Sequence, residues 1–179
     1  MKNAKYILRL ALTLLAITAV MAAALAGVNS FTAPKIEKLQ EEKTQQAIMM
    51  VLPGGGEEIP FQDETGLVSR VYASETGYAV EVTPIGFDNT ITMMVGVDPQ
   101  GKVLGISVIS HTETAGLGAV AAAENSAGEA FRGQFTGMGG ILAVTKDGGE
   151  VNAITGATIT SRAICVGINA ALACVENLG

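Results

Sequence analysis

The sequence is poor in charged and aromatic residues. Of its 179 residues, 16% are charged and 4% are aromatic, there is no tryptophan, and 49% are hydrophobic. A typical soluble domain carries about 25% charged residues, so this composition argues against a fully soluble or a disordered chain. The length suits one ordinary domain with a short extension.

Basic and metal-ligating residues are also scarce. Eleven basic residues stand against seventeen acidic ones, a net charge of -6. Nucleic acid is therefore not expected as a partner, because its binding depends on Lys and Arg. One histidine and two cysteines are too few for a structural zinc, so we expect no metal site. Cys165 and Cys174 lie nine residues apart in a helical pattern and would face opposite sides, which disfavours a disulfide.

Familiar catalytic patterns are missing as well. His111 is the only histidine, and a lone loop histidine is more typical of a surface residue than of a catalyst. No Gly-x-Gly-x-x-Gly follows a predicted strand, and there is no Walker-type lysine. We therefore expect no catalytic residue in this chain taken alone.

One long apolar run does stand out near the N-terminus. No charge occurs from Leu10 to Pro34, and Leu10 to Val28 is almost continuously apolar. At about 1.5 Å per residue in a helix, this run matches the roughly 30 Å hydrocarbon core of a bilayer. The sequence therefore predicts a single membrane-spanning helix.

The charges before this run predict its orientation. Lys2, Lys5 and Arg9 precede it without an acidic residue, so the positive-inside rule predicts a cytoplasmic N-terminus. The chain would then be a single-pass protein of the cell (inner) membrane with an extracytoplasmic C-terminal domain. A cleaved signal peptide is the alternative, because Ala24-Leu25-Ala26 resembles an A-x-A cleavage site.

The rest of the chain is predicted as a stalk and a mixed domain. Lys35 to Leu52 is charged and helical in character, and Pro53-Gly54-Gly55-Gly56 should break it. We expect a membrane anchor at residues 1–33, a stalk helix and hinge at 34–56, and a domain at 57–179. Irregularly mixed strands and helices favour an α+β fold, with antiparallel strands and flanking helices.

The predicted elements of this domain follow from alternation and turn residues. Two helices are expected, Ala119 to Phe131 and Ser161 to Leu178. One hairpin is expected at Asp98-Pro99-Gln100-Gly101-Lys102, joining Thr90 to Val97 with Val103 to Ser110. A second hairpin is expected around Asp147-Gly148-Gly149, joining residues 141–144 to 151–154. The other strands are predicted at Leu67 to Ala73, Tyr78 to Thr83, Thr90 to Val97 and Val103 to Ser110.

A stretch rich in hydroxyl groups precedes the last helix. It reads Thr155-Gly156-Ala157-Thr158-Ile159-Thr160-Ser161. One interpretation is an N-cap cluster, in which a hydroxyl accepts a hydrogen bond from the first helical amides. The other is a phosphate site, formed by those amides and the positive end of the helix dipole.

A second unusual stretch follows the strand that ends at Ser110. It reads His111-Thr112-Glu113-Thr114-Ala115-Gly116-Leu117-Gly118. It could be a flexible polar loop. Alternatively, Gly116 and Gly118 could allow the backbone to approach a planar ligand closely.

Both stretches resemble motifs of one family. Residues 155–160 resemble the S/T-G-A-T-x-T signature of proteins that carry FMN on a threonine through a phosphoester. Residues 113–118 resemble the E-T-P-G-L-G segment of the same FMN-binding domain family, with Ala115 in place of the usual proline. Nearly the whole chain is similar to the RnfG family of the Rnf complexes, which are ion-translocating ferredoxin:NAD⁺ oxidoreductases.

The resemblance implies a role for individual residues. The last threonine of the signature, Thr160, would carry the FMN; spacing alone leaves Thr155, Thr158 and Thr160 open. The phosphate pocket would be formed by Thr155, Gly156, Ala157, Thr158 and Ser161. Glu113, Thr114, Gly116, Leu117 and Gly118 would lie near the isoalloxazine, so the two motifs are expected to play separate roles.

The resemblance also implies partners and a function. The chain would relay electrons through covalent FMN within a complex of other membrane subunits, and a separate flavin transferase would attach the FMN. One alternative is the equivalent FMN-carrying component of a Na⁺-pumping NADH:quinone reductase. Another is an exported flavin-binding module without a redox role.

Overall fold

The computed structural model describes residues 2–178, in two compact units, Met1–Glu42 and Lys43–Gly179. The first unit is part of helix α1, which runs from Lys2 to Val51 without interruption at Pro34. All side chains from residue 5 to 42 are exposed, including the whole apolar run. Its best 18-residue window has a mean hydropathy of 2.3 and no buried residue. An apolar helix left uncovered by protein in this way indicates membrane association.

The last turns of α1 belong to the second unit. Thr44, Ala47, Ile48 and Val51 are buried there, whereas the helix before Lys43 is exposed. The helix ends at Val51, one residue before the predicted end at Leu52, because Pro53 disfavours helical geometry in the residue before it. The predicted boundaries at residues 33 and 56 stay predictions, but this compact unit begins at Lys43.

The second unit contains one antiparallel sheet with the α+β architecture expected. Its five strands lie in chain order, each hydrogen-bonded to the next. Four of them lie within two residues of their predicted bounds, and the short first strand was not predicted. The strands are β1 (Glu57–Ile59), β2 (Val68–Ser74), β3 (Gly77–Val82), β4 (Thr92–Val97) and β5 (Val103–Ser110).

Both faces of the sheet are apolar, and each packs against a different helix. In β4, Met93 and Val95 join the larger core with the C-terminal helix, while Met94 joins the smaller core with the end of α1. This division follows from the alternation of side chains along a strand. Strand β4 therefore lies between two covering layers.

The predicted continuous helix from Ala119 to Phe131 is wrong. A 3₁₀ helix covers Gly118–Ala122, and helix α2 starts afresh at Ser126 and ends at Gly133. The side chain of Asn125 accepts from the Gly128 amide at 3.0 Å and so caps the new helix. Arg132 fixes the break by donating to the carbonyls of Ala121 and Ala123, at 2.8 and 3.0 Å.

The C-terminal helix, α3, spans Thr158–Glu176 and is the main helix of the larger core. It begins three residues earlier than predicted, so Thr160 lies in its first turn. It is long and apolar enough to cross a membrane, but 67% of its most apolar window is buried inside the domain. It is therefore a core helix. Cys165 and Cys174 are buried on it as free thiols.

The predicted hairpin around Asp147-Gly148-Gly149 is also wrong. Residues Thr145–Asp147 form a 3₁₀ helix, and the flanking segments share one parallel bridge, between Val144 and Val151. The side chain of Asn169 on α3 explains the difference. Its Oδ1 accepts from the Leu142 amide at 2.8 Å and its Nδ2 donates to the Leu142 carbonyl at 2.9 Å. These groups are the ones a hairpin partner would have used.

Candidate functional site

The two unusual sequence stretches meet at one cleft in the second unit. The loop after β5 forms one wall, and the start of α3 forms the other. The cleft has a volume of about 300 Å³ and is lined by Phe87, Glu113, Thr114, Leu117, Gly118, Lys146, Gly156, Ala157, Thr158, Ile159 and Thr160.

A hydrogen bond joins the two stretches directly. Oγ1 of Thr160 donates to Oε2 of Glu113 at 2.5 Å, across 47 residues of sequence. Both groups are buried, with 1% of Thr160 and 8% of Glu113 exposed. The two motifs were expected to play separate roles, whereas in the folded protein they share a hydrogen-bonded pair.

The Glu113 carboxylate is held from its other side by a third segment. Its Oε1 accepts from the backbone amide of Phe87 at 2.8 Å and from that of Asp88 at 3.4 Å. The Glu113 amide in turn donates to Nδ1 of His111 at 3.2 Å. The loop between β3 and β4 thus fixes the carboxylate, and His111 fixes the backbone that carries it.

Two glycines make room for this carboxylate. A Cβ atom on Gly118 would lie 2.3 Å from Oε2 of Glu113 and 2.6 Å from Oγ1 of Thr160. A Cβ atom on Gly86 would lie 2.2 Å from Oε1 of Glu113. Both separations are far below contact distance, so the buried pair depends on glycine at both positions.

The start of α3 has no side-chain cap, which excludes the N-cap interpretation of this stretch. The N-cap residue is Ala157, and no side chain accepts from the first helical amides. The preceding Gly156 has a φ of 78°, a backbone conformation that favours glycine. The first turn also contains no acidic residue. The first residues of α3, Thr158 to Thr160, line the cleft, so the uncapped start of the helix and the positive end of its dipole lie at the cleft, as an anion site requires.

A lysine adds positive charge to the same end of the cleft. Nζ of Lys146 donates to Oγ1 of Thr158 at 3.3 Å. The neighbouring Asp147 is paired with Arg162, whose Nε and Nη2 lie 2.6 and 2.7 Å from its carboxylate oxygens. Hydrogen bonding to Arg162 lowers the pKa of Asp147, and the same bond raises the pKa of Arg162. The Asp147 carboxylate is therefore paired with Arg162, and the Lys146 ammonium is hydrogen-bonded to Thr158.

Three of the predicted site residues lie outside the cleft lining. Gly116 and Thr155 line a neighbouring cavity. Ser161 is buried, where its Oγ donates to the Ala157 carbonyl and accepts from the Ile154 amide, both at 3.0 Å. It therefore shapes the loop before α3 from behind.

Three residues of the cleft were not predicted from the sequence: Phe87, Lys146 and Ile159. Phe87 and Ile159 are 66% and 49% exposed, so each presents apolar surface at the cleft. For Phe87 the sequence did contain a signal, namely an aromatic residue within the otherwise polar segment Gly86-Phe87-Asp88-Asn89. For Lys146 the sequence contained no such signal, because its place in the cleft depends on a 3₁₀ helix that the sequence did not predict.

Two family models match this chain. Residues 86–173 match the FMN-binding domain, and residues 1–51 match the RnfG N-terminal region. The first match includes every residue that lines the cleft. The second covers helix α1.

Similar proteins extend over almost the whole chain. The G subunit of the Na⁺-translocating ferredoxin:NAD⁺ oxidoreductase complex of Acetobacterium woodii is 32% identical over 97% of this chain and 94% of its own. The G subunit of the ion-translocating oxidoreductase complex of Methanosarcina acetivorans is 30% identical over 96% of both. This chain belongs to the RnfG family of ion-translocating oxidoreductase complexes. A proton-translocating member from Clostridium ljungdahlii is 39% identical over 56% of this chain and 57% of its own.

Membership of the RnfG family identifies the second unit as containing an FMN-binding domain, and the cleft fits that cofactor. The uncapped start of α3, the hydroxyl of Thr158 and the ammonium of Lys146 suit a phosphate group. The partly exposed apolar side chains of Phe87, Leu117 and Ile159 suit a planar ring system. The match to the RnfG N-terminal region favours this family over the equivalent component of a Na⁺-pumping NADH:quinone reductase.

Proposed function

We propose that this chain is the electron-carrying subunit of a membrane-bound ion-translocating ferredoxin:NAD⁺ oxidoreductase complex, with FMN bound covalently to Thr160. One observation carries the proposal: Thr160 is among the residues that line a cleft whose walls come from the two motifs of the FMN-binding domain. When bound, FMN supplies reversible oxidation and reduction, and the protein supplies its position and electrostatic surroundings.

Thr160 is favoured among the three threonines of the signature by its surroundings. Thr155 does not line the cleft, and the hydroxyl of Thr158 accepts a hydrogen bond from Lys146. In our proposal, Thr158 and Lys146 bind the phosphate group beside the point of attachment. Gly156 and Ala157 leave space for it next to the α3 amides.

The wall of the cleft opposite the phosphate end would hold the isoalloxazine. Glu113, Thr114, Leu117 and Gly118 come from the loop after β5. Phe87 faces them from the loop between β3 and β4, and Ile159 lies on α3. Apolar contact with these side chains would orient the ring, and their exposure would leave an edge of it open to a redox partner.

The membrane arrangement is part of the proposal. The basic residues Lys2, Lys5 and Arg9 favour a cytoplasmic N-terminus and an extracytoplasmic FMN-binding domain. In this arrangement the apolar part of α1 packs among other membrane subunits of the complex. A separate flavin transferase, acting on the same side as the domain, would attach FMN.

Peptide mass spectrometry of the chain co-expressed with a flavin transferase tests the attachment. We expect one FMN adduct on the peptide containing Thr160, its loss in Thr160→Val, and its retention in Thr158→Val and Thr155→Val. An adduct that persists in Thr160→Val would contradict the assignment.

Protease protection tests the orientation. In intact cells whose outer barrier has been opened, added protease should cut the FMN-binding domain as readily as an exported control protein. Full protection of the domain, under conditions in which that control is cut, would show that the orientation is wrong.

A further inference from the structure

We propose that Glu113 is the base that activates the Thr160 hydroxyl when FMN is attached, so that this chain brings part of the chemistry of its own modification. The inference rests on the proposed function, because it takes Thr160 as the point of attachment. It concerns a residue of the acceptor protein itself, not of the transferase.

The Thr160 hydroxyl makes an unusual hydrogen bond for a helical residue. Serine and threonine in helices commonly donate to the carbonyl four residues earlier. Ser161 does so to Ala157, and Thr18 does so to Leu14, both at 3.0 Å. Thr160 instead donates to Oε2 of Glu113 at 2.5 Å. Its proton is therefore directed at a carboxylate that can accept it.

The carboxylate is arranged so that one oxygen is available for this task. Oε1 of Glu113 accepts from the backbone amides of Phe87 and Asp88, which leaves Oε2 to Thr160. Gly86 and Gly118 permit the close approach on both sides. A side chain needed only for packing would not require a buried carboxyl group, two backbone amide donors from one segment and glycines in two segments.

Three other ionisable side chains near the cleft are engaged elsewhere. Nδ1 of His111 accepts from the Glu113 backbone, and Lys146 is a hydrogen-bond donor to Thr158. Asp147 is paired with Arg162. Among the residues that the structure describes, Glu113 is the one whose carboxylate contacts the reacting oxygen atom.

The reaction can be written with its atoms in balance. Oγ1 of Thr160 attacks the flavin-side phosphorus of FAD, and a new P–O bond forms. The bond from that phosphorus to the bridging oxygen of the pyrophosphate breaks, and its electron pair leaves with AMP. The hydroxyl proton passes to Oε2 of Glu113 and from there to the leaving phosphate or to water. No oxidation or reduction is involved.

The test measures the rate of flavin attachment to the full-length chain. Chain purified in detergent from cells without a flavin transferase is mixed with a purified bacterial flavin transferase and FAD. Covalent flavin is followed by fluorescence of the denatured band and by intact mass. In Glu113→Gln, the amide oxygen can still accept from Phe87 and Asp88, but the side chain is no longer a base. We expect attachment to slow about 100-fold or more, the usual scale of general-base catalysis.

Two further measurements separate catalysis from structure. The decrease should lie in kcat and not in the KM for the chain, because Glu113 acts on the Thr160 hydroxyl and, at 8% exposed, contributes little surface for docking. Glu124→Gln, at an exposed position outside the cleft, is the matched control and should react at the wild-type rate. Glu113→Asp retains a carboxylate but withdraws it by one methylene, and we expect an intermediate rate, at least about tenfold below wild type.

The outcomes are distinguishable. A wild-type adduct on a residue other than Thr160, or no wild-type adduct, overturns the proposed attachment and this inference with it. A Thr160 adduct formed at the wild-type rate in folded Glu113→Gln overturns this inference alone. If Glu113→Gln does not fold, a wild-type rate in Glu113→Asp overturns it.

Discussion

Two long apolar helices of this chain have opposite surroundings. The N-terminal part of α1 has a mean hydropathy of 2.3 in its best window, and none of that window is buried. The corresponding window of α3 has a mean hydropathy of 1.5 and is 67% buried. Length and hydropathy alone would admit both as membrane spans, so the distinction lies in what covers each helix.

The different surroundings of the two helices follow from the polar side chains that each helix carries. Helix α3 carries polar groups with defined partners, such as Arg162 with Asp147 and Asn169 with the Leu142 backbone. These contacts require a folded domain around the helix. The uncharged stretch of α1 offers hydroxyls that bond back to its own helix, as Thr18 and Thr32 do. Such a helix satisfies its polar groups internally, which is what a lipid environment requires.

A buried charge should reveal the largest difference between the two helices. Ile168 of α3 is fully buried, and Ile168→Asp should destabilise the domain by about 3–5 kcal/mol or more, because the charge has no partner. Leu15→Asp in α1 should leave domain stability unchanged and instead weaken membrane retention. Thermal unfolding, detected by a thiol-reactive dye that reports the buried cysteines, measures the first effect, and sedimentation with membranes measures the second. Equal domain stability in the two variants would contradict the comparison.

The C-terminal end of α1 should behave like α3 and not like the rest of α1. Ile48 is 2% exposed and its neighbour Met49 is 56% exposed. Ile48→Ala should cost about 2–4 kcal/mol by opening a cavity in the smaller core. Met49→Ala is the matched control and should change stability by less than about 0.5 kcal/mol. The same dye-detected unfolding measures both, and a neutral Ile48→Ala would show that this end of the helix is not part of the folded domain.

Thiol reactivity should report the burial of α3 directly. Burial raises the pKa of the Cys165 thiol to about 11, with a smaller contribution from the charge of Asp147. From a usual value of 9.0, this lowers the thiolate fraction at pH 8 by about 100-fold, and alkylation should slow at least as much.

The matched control for Cys165 is a cysteine at the exposed position Ala173, in a chain with the native cysteines replaced. Cys165 should react about 100-fold more slowly than this control in buffer and at the same rate in denaturant. Equal rates in buffer would mean that α3 is not buried.

The smallest effect expected is the pH dependence of the Asp147–Arg162 pair at the start of α3. The pKa of Asp147 is lowered from its usual 3.8 by hydrogen bonding to Arg162. Its contribution to stability is therefore present above the unfolded pKa and is lost as the pH falls through the folded pKa.

Asp147→Asn tests this sign. The variant should have a slightly lower Tm than wild type at pH 7, and the difference should disappear toward pH 2. Circular dichroism melts across this range measure it, with Glu150→Gln at a nearby exposed position as control. A Tm difference that grows at acid pH would show that the sign is wrong.

The sequence predicted the local elements well and the long-range ones poorly. The hairpin of β4 and β5 is correct because the turn Asp98-Pro99-Gln100-Gly101-Lys102 fixes it locally. The 141–154 segment fails because Asn169, 27 residues away, takes the hydrogen bonds of Leu142. No local pattern contains that information.

In the candidate site, too, the sequence predicted the local features and missed the long-range ones. Its two motifs are readable in the sequence, and eight of their eleven predicted residues line the cleft. Phe87 and Lys146 were missed because separate segments bring them there. The bond between Thr160 and Glu113 was missed for the same reason, since it joins residues 47 apart.

The burial of the last turns of α1 has a practical consequence for producing the FMN-binding domain without its anchor. A chain cut at the strand boundary, residue 57, would lack Ala47, Ile48, Val51 and Leu52. The sheet face that carries Tyr72, Ala79 and Met94 would then be bare, and such an apolar patch favours aggregation. A chain that begins at or before Lys43 keeps this cover, so the cut belongs within the helix and not at its end.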